Sequence, residues 1–192
     1  DSVVYDMDGQ GADTDATTGI WFRYDGLKIF SVGLDNKIKS HTLTTAWDLT
    51  TASVDAAEIN LIDLNWSTIY LSDDGTRVYV GDYDFSPVHQ FNLDTAWDLS
   101  SFNNTGGQFT PSHERALNCG GISFSSDGSK LYYMHTRRNR AGHATFDANR
   151  VITIYLDTPW EINTADFLRG VQVSFAPHQI ETNQPYGLDI DN

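Results

Sequence analysis

Ile122-Ser123-Phe124-Ser125-Ser126-Asp127-Gly128-Ser129-Lys130-Leu131-Tyr132-Tyr133 decides how this chain folds. It is a short alternating strand, an Asp-Gly turn, a cation, and a second strand rich in aromatic and β-branched residues. Asp-Gly between two alternating runs is a strong hairpin signal, because glycine supplies the positive φ that the turn needs. The same pattern occurs as Ile20-Trp21-Phe22-Arg23-Tyr24-Asp25-Gly26-Leu27-Lys28-Ile29-Phe30 and as Ile69-Tyr70-Leu71-Ser72-Asp73-Asp74-Gly75-Thr76-Arg77-Val78-Tyr79-Val80. Gly26, Gly75 and Gly128 therefore mark a repeat of about 50 residues.

A second motif follows each hairpin. Its copies are Leu43-Thr44-Thr45-Ala46-Trp47-Asp48-Leu49, Leu93-Asp94-Thr95-Ala96-Trp97-Asp98-Leu99 and Leu156-Asp157-Thr158-Pro159-Trp160-Glu161-Ile162. A strand precedes it, clearest where Ile152, Ile154 and Leu156 alternate with Thr153, Tyr155 and Asp157. Another follows, best seen as Val171-Gln172-Val173-Ser174-Phe175. Each unit thus holds four strands, a to d, the pattern of a propeller blade. One blade cannot bury both faces of its sheet, so neighbours must stack on it, which gives the repetition a physical reason. The expected fold is all-β, a β-propeller arc of about three full blades with partial blades at both ends. Residues 1–17 end a preceding blade and its loop, 18–66, 67–118 and 119–182 are blades, and 183–192 is the first strand of the next. Because Tyr186-Gly187-Leu188-Asp189-Ile190 matches a strand a without its Asp-Gly turn, the expectation is a piece of a longer polypeptide, with closure between neighbouring copies as the alternative.

These residues resemble the bacterial and phage β-propeller repeats, loosely related to the YVTN-type and TolB-like propellers. The closest matches are Phe124 to Tyr133 and Tyr155-Leu156-Asp157-Thr158-Pro159-Trp160-Glu161. The resemblance implies a scaffold in large surface, secreted or virion-associated proteins and carries over no catalytic residue. It places the chain in an extracellular, cell-surface or virion setting.

Composition narrows the partners. The formal charge is -14, from 26 acids and 12 cations, which argues against nucleic acid or an anionic membrane as the main partner. No run of 18 apolar residues is present to span a bilayer. Cys119 is the only cysteine, and its apolar setting suits a buried small hydrophobe better than a nucleophile.

In a propeller the a–b and c–d turns share one face and the d–a and b–c loops the other. Asp25-Gly26, Asp74-Gly75 and Asp127-Gly128 are read as turn formers, and Trp47, Trp97 and Trp160 as packing over blade edges. Specific recognition belongs to the varied loops opposite. There, Asp6, Asp8, Asp13 and Asp15 with two glycines form either a solvated acidic loop or a Ca²⁺ site, since Ca²⁺ takes six to eight oxygen ligands from a tightly turning loop. The third b–c loop, entered at His135 and containing His143, gathers Arg137, Arg138, Arg140 and Arg150, four of the chain's 12 cations. Arginine forks suit an acidic glycan or protein receptor, or an acidic neighbouring blade or copy. His113-Glu114-Arg115, His41, His89 and His178 have no metal-ligand spacing. The expected function is a non-enzymatic structural or ligand-binding module. The alternatives are a metal-assisted lactonase-like hydrolase, for which Glu114 and Asp189 are the only hints, and a lectin-like binder using the tryptophans.

Overall fold

The computed structural model describes residues 16–61, 66–82, 87–110, 117–137 and 150–174, together with Tyr5 and Met7. Three antiparallel sheets follow one another along the chain. The first runs β1 (Thr17–Phe22), β2 (Lys28–Gly33), β3 (Lys37–Leu43), β4 (Ala52–Asn60). The second contains β5 (Trp66–Leu71), β6 (Arg77–Asp82), β7 (Val88–Leu93) and an outer strand in two pieces, β8 (Phe102–Asn103) and β9 (Gln108–Phe109), both paired with β7. The third runs β10 (Leu117–Phe124), β11 (Lys130–Arg137), β12 (Arg150–Leu156), β13 (Ala165–Ser174).

Alternation along the strands sends side chains to the two faces of each sheet. On β6, Val78 and Val80 join a core with Phe30, Val32, Ile38 and Ile59 of the first sheet. Tyr79, between them, joins a separate core with Cys119, Ile122, Phe124, Leu131 and Tyr133 of the third. Each core therefore lies in a seam between two sheets, so the sheets are stacked blades. The inner strands β1, β5 and β10 approach closely, and a Cβ on Gly19 would stand 2.9 Å from the Thr68 Cα of the next blade.

The hairpins carry out the turn chemistry that their residues dictate. Gly26, Gly75 and Gly128 adopt φ of 71°, 69° and 69°. The preceding aspartate accepts the amide of the residue two positions on, each at 3.0 Å: Leu27 to Asp25, Thr76 to Asp74, Ser129 to Asp127. The Ser125 hydroxyl, the Ser129 amide and the Ser129 hydroxyl together hold the Asp127 carboxyl down at about 2.

The tryptophans do more than pack over blade edges. Each sits on the glycine of its own blade's hairpin, and Trp97 also reaches the preceding blade, stacking on Trp21. The Trp47, Trp97 and Trp160 amides donate to the Gly26, Gly75 and Gly128 carbonyls, each at 2.9 Å. The indoles press so closely on these glycines that a Cβ there would overlap the ring. The tryptophans themselves take positive φ, 63°, 65° and 66°, a conformation that L-residues adopt only when their surroundings fix it. A single 3₁₀ turn follows each one, at Leu49–Thr51, Leu99–Ser101 and Ile162–Thr164. Thr51, Ser101 and Thr164 lock it, each donating to the carbonyl three residues back at 2.7–2.8 Å. The Ser or Thr four residues after each tryptophan is thus part of the motif.

The second blade's outer strand breaks where Gly106 and Gly107 bring the backbone against β7. A Cβ on Gly106 would overlap the Gln90 carbonyl, and the Gln90 amide donates to the Gly107 carbonyl at 2.8 Å.

Candidate functional site

The two ends of the blades differ in how much their chemistry varies. At the turn end, all three blades repeat the same Asp-Gly-Trp contacts. At the loop end, where strand b finishes, the corresponding positions are Gly33, Asp82 and His135, paired across the sheet with Thr17, Trp66 and Cys119. A β-bulge interrupts strand a beside each of these pairs. In the first two blades the extra residue carries a hydroxyl that reaches the next blade. Thr18 Oγ1 donates to the Trp66 carbonyl at 2.6 Å, and Ser67 Oγ to the Cys119 carbonyl at 2.5 Å. The bulges thereby clip successive inner strands together and fix where the loop-end side chains stand.

Two groups of buried side chains occupy this end. In the seam between blades one and two, Trp66 packs edge-on against His89, with ring centroids 5.2 Å apart. Asp82 lies opposite Trp66 in the same sheet and is fully buried. Burial lowers the His89 pKa, disfavouring the charged imidazolium. In the seam between blades two and three, His135 is 4% exposed, stands across from Cys119 on β10 and from Arg150 on β12, and neither ring nitrogen has a hydrogen-bond partner among the described residues. Burial, with the Arg150 charge as a second cause, drives its pKa down to about 4. The Cys119 thiol is fully buried, and burial pushes it up to about 12. A thiol of that acidity carries essentially no thiolate at neutral pH and is chemically quiet.

The sequence candidates separate under this geometry. His135 is not in a loop: β11 continues through Arg137, because Leu131, Tyr133 and His135 alternate onto the same buried face. Arg137 is the last residue of β11 and Arg150 the first of β12, so the backbone brings these two ends of the arginine-rich connection to one end of the third sheet. Arg138, Arg140 and His143 lie outside the described residues, as do the calcium candidates Asp6, Asp8, Asp13 and Asp15, and also His113, Glu114, His178 and Asp189. His41 is fully buried and hydrogen-bonds with the Tyr5 hydroxyl at 3.1 Å and the Ser31 hydroxyl at 3.3 Å. Among the described residues no three His, Cys, Asp or Glu side chains converge as a metal site. The sequence reading missed Asp82 and Trp66. Aligning the three strand-b ends as Gly33, Asp82 and His135 was the signal that could have found Asp82.

No protein-family model matches the sequence, and no curated protein matches it. Solved structures do. A putative 6-phosphogluconolactonase from Bacteroides uniformis is 14% identical with a TM-score of 0.60, over 85% of this chain and 43% of that one. Its counterpart from Bacteroides fragilis is 13% identical with a TM-score of 0.59, over 89% and 45%. The β-propeller domain of Cps50 (Swd1) from Myceliophteria thermophila is 15% identical with a TM-score of 0.53, over 82% and 44%. The chain spans less than half the length of each of these three. The common element is the β-propeller, and the chain is an arc of one.

Proposed function

We propose that this arc is a non-enzymatic recognition module of a larger extracellular or virion-associated protein, and that its loop face binds an acidic glycan or protein. The observation that carries this reading is the contrast between the blade ends. Three blades repeat the Asp-Gly-Trp contacts at the turn end, whereas the strand-b terminus changes from Gly33 to Asp82 to His135 at the loop end. Variation concentrated on one face of a fixed scaffold is how a repeat protein builds a specific surface. On a chain of formal charge -14, the third blade sets Arg137 and Arg150 at one edge of that face. The tryptophans offered to a sugar-stacking role are already engaged with glycines, and Trp97 is also stacked on Trp21 at 5.6 Å.

The test is binding to arrays of acidic glycans and acidic peptides. The expected result is salt-sensitive binding that Arg137→Ser combined with Arg150→Gln weakens about tenfold. Turnover of a lactone that Asp82→Asn abolishes would instead establish the lactonase-like alternative.

A further inference from the structure

His135 sits where a blade does not need an imidazole. The equivalent strand-b residue is Gly33 in blade one and Asp82 in blade two, so the backbone is built as well without a ring at this point. In blade three the ring is 4% exposed, and among the described residues neither nitrogen is hydrogen-bonded. A buried imidazole in that state has given up water and gained no partner in return, a cost that a ligand group can offset.

Its surroundings say which group. His135 stands between Cys119 on β10 and Arg150 on β12, so thiol, imidazole and guanidinium form a row across three adjacent strands. The Tyr133 ring lies 5.5 Å from the imidazole on β11 itself. Across the seam, Gly81 of blade two abuts Cys119 without a side chain, and Val88 shares the core of Cys119 and Tyr133. Asp82 follows Gly81 but alternates into the first seam, opposite Trp66. The charge that acts on the imidazole is that of Arg150. A monoanion with two coplanar oxygens fits this row, one oxygen on the planar fork of the guanidinium and the other on the imidazole. A sulfate would carry a third oxygen into apolar surroundings. With the ring nearly closed off from solvent, the carboxylate must arrive on a slender stem, and one borne directly on a sugar ring is too bulky to follow.

We propose, on the reading of the loop face as a surface for acidic partners, that His135 and Arg150 receive one carboxylate of that partner, carried by a glutamate side chain of an acidic peptide, and that the imidazole takes a proton from solvent as it binds. An imidazolium donates from both nitrogens, so the carboxylate meets a donor whichever nitrogen faces it. Proton uptake then links affinity to pH, and binding strengthens as pH falls towards the free imidazole's pKa of about 4.

Imidazole NMR on the full chain reads this proton directly. A pentapeptide with one glutamate among glycines, blocked at both termini, should raise the His135 pKa by about one pH unit or more, and its glutamine counterpart should leave it in place. Affinity for the glutamate peptide should grow several-fold from about pH 6.5 to about pH 5. His135→Phe, which keeps a flat buried ring, should abolish that growth while salt-sensitive binding to the acidic arrays persists through the arginines. A His135 pKa that the glutamate peptide does not move overturns the proposal, and the arrays then decide separately whether the loop face binds acids at all. An equal rise with free glucuronate overturns the choice of a glutamate side chain. Should His135→Phe fail to fold, the wild-type titration still decides.

Discussion

At the turn end, the seam between blades one and two is aromatic, while the seam between blades two and three is clamped by polar groups. In the first, Trp97 of blade two stacks on Trp21 at 5.6 Å, leans on Phe30 at 6.4 Å, and lies under the Arg23 guanidinium at 5.8 Å. Lys28 turns back into its own blade to pair with Asp55 at 3.1 Å, beside the Ser40 and Thr42 hydroxyls. In the second, Glu161 takes Arg77 at 2.8 Å and the Gln90 amide at 3.1 Å, while Gln90 accepts the Ile162 amide at 3.0 Å. The difference follows from changes at four matching positions. Lys28 becomes Arg77, Phe30 becomes Tyr79, adding a hydroxyl, Ser40 becomes Gln90, and Asp98 becomes Glu161, adding a methylene. Asp48 and Asp98 cap their 3₁₀ turns by accepting the amide two residues on, whereas Glu161 makes no such bond and reaches across the seam. One backbone arrangement thus accepts either stacking or ion pairing, and the choice identifies which blade follows which.

The largest expected effect comes from removing the aromatic side of the comparison. Trp97→Ala should lose about 3 kcal/mol in urea denaturation, and Trp160→Ala about 2 kcal/mol, because backbone and Glu161 contacts still hold the second seam. The pH response comes next, carried most by His135 of the second seam, with His89 of the first acting in the same direction. His135 is buried neutral with its pKa at about 4, against an ordinary value of 6.5. The unfolded chain therefore binds the extra proton between these values. Stability should fall as pH drops from 6.5 towards 4, by about 3 kcal/mol at most, and level off below. Denaturation midpoints across that range check this, and His135→Asn should remove the slope that this residue contributes. A smaller effect attaches to the hydroxyl. Tyr79→Phe leaves the Trp160 carbonyl short of a donor and should cost about 1 kcal/mol, while Phe30→Tyr should make the first seam resemble the second and cost nothing.

Much of this fold was legible in the sequence, because Asp-Gly turns and alternating strands are local signals. Gly26, Gly75 and Gly128 located the hairpins, and the alternation of Ile152, Ile154 and Leu156 located β12. The Trp-Asp motif was visible, but its meaning was not. That Trp47 rests on Gly26 depends on two turns meeting at one end of a sheet, which spacing alone does not reveal. The seams were less legible still, since Trp21 meets Trp97 and Arg77 meets Glu161 only after the blades have stacked. At the loop end, the sequence picked out His135 and Arg150 by clustering but placed His135 in a loop. Three alternating buried positions, Leu131, Tyr133 and His135, carry the strand further than a count of cations suggested.

The most direct test of the contrast between seams is a pair of double-mutant cycles on stability. One combines Arg77→Met with Glu161→Gln, the other Lys28→Met with Asp98→Asn, at equivalent positions in the two seams. The account predicts a coupling of about 1 to 2 kcal/mol for the first pair and near zero for the second. Equal couplings, or none between Arg77 and Glu161, would contradict it.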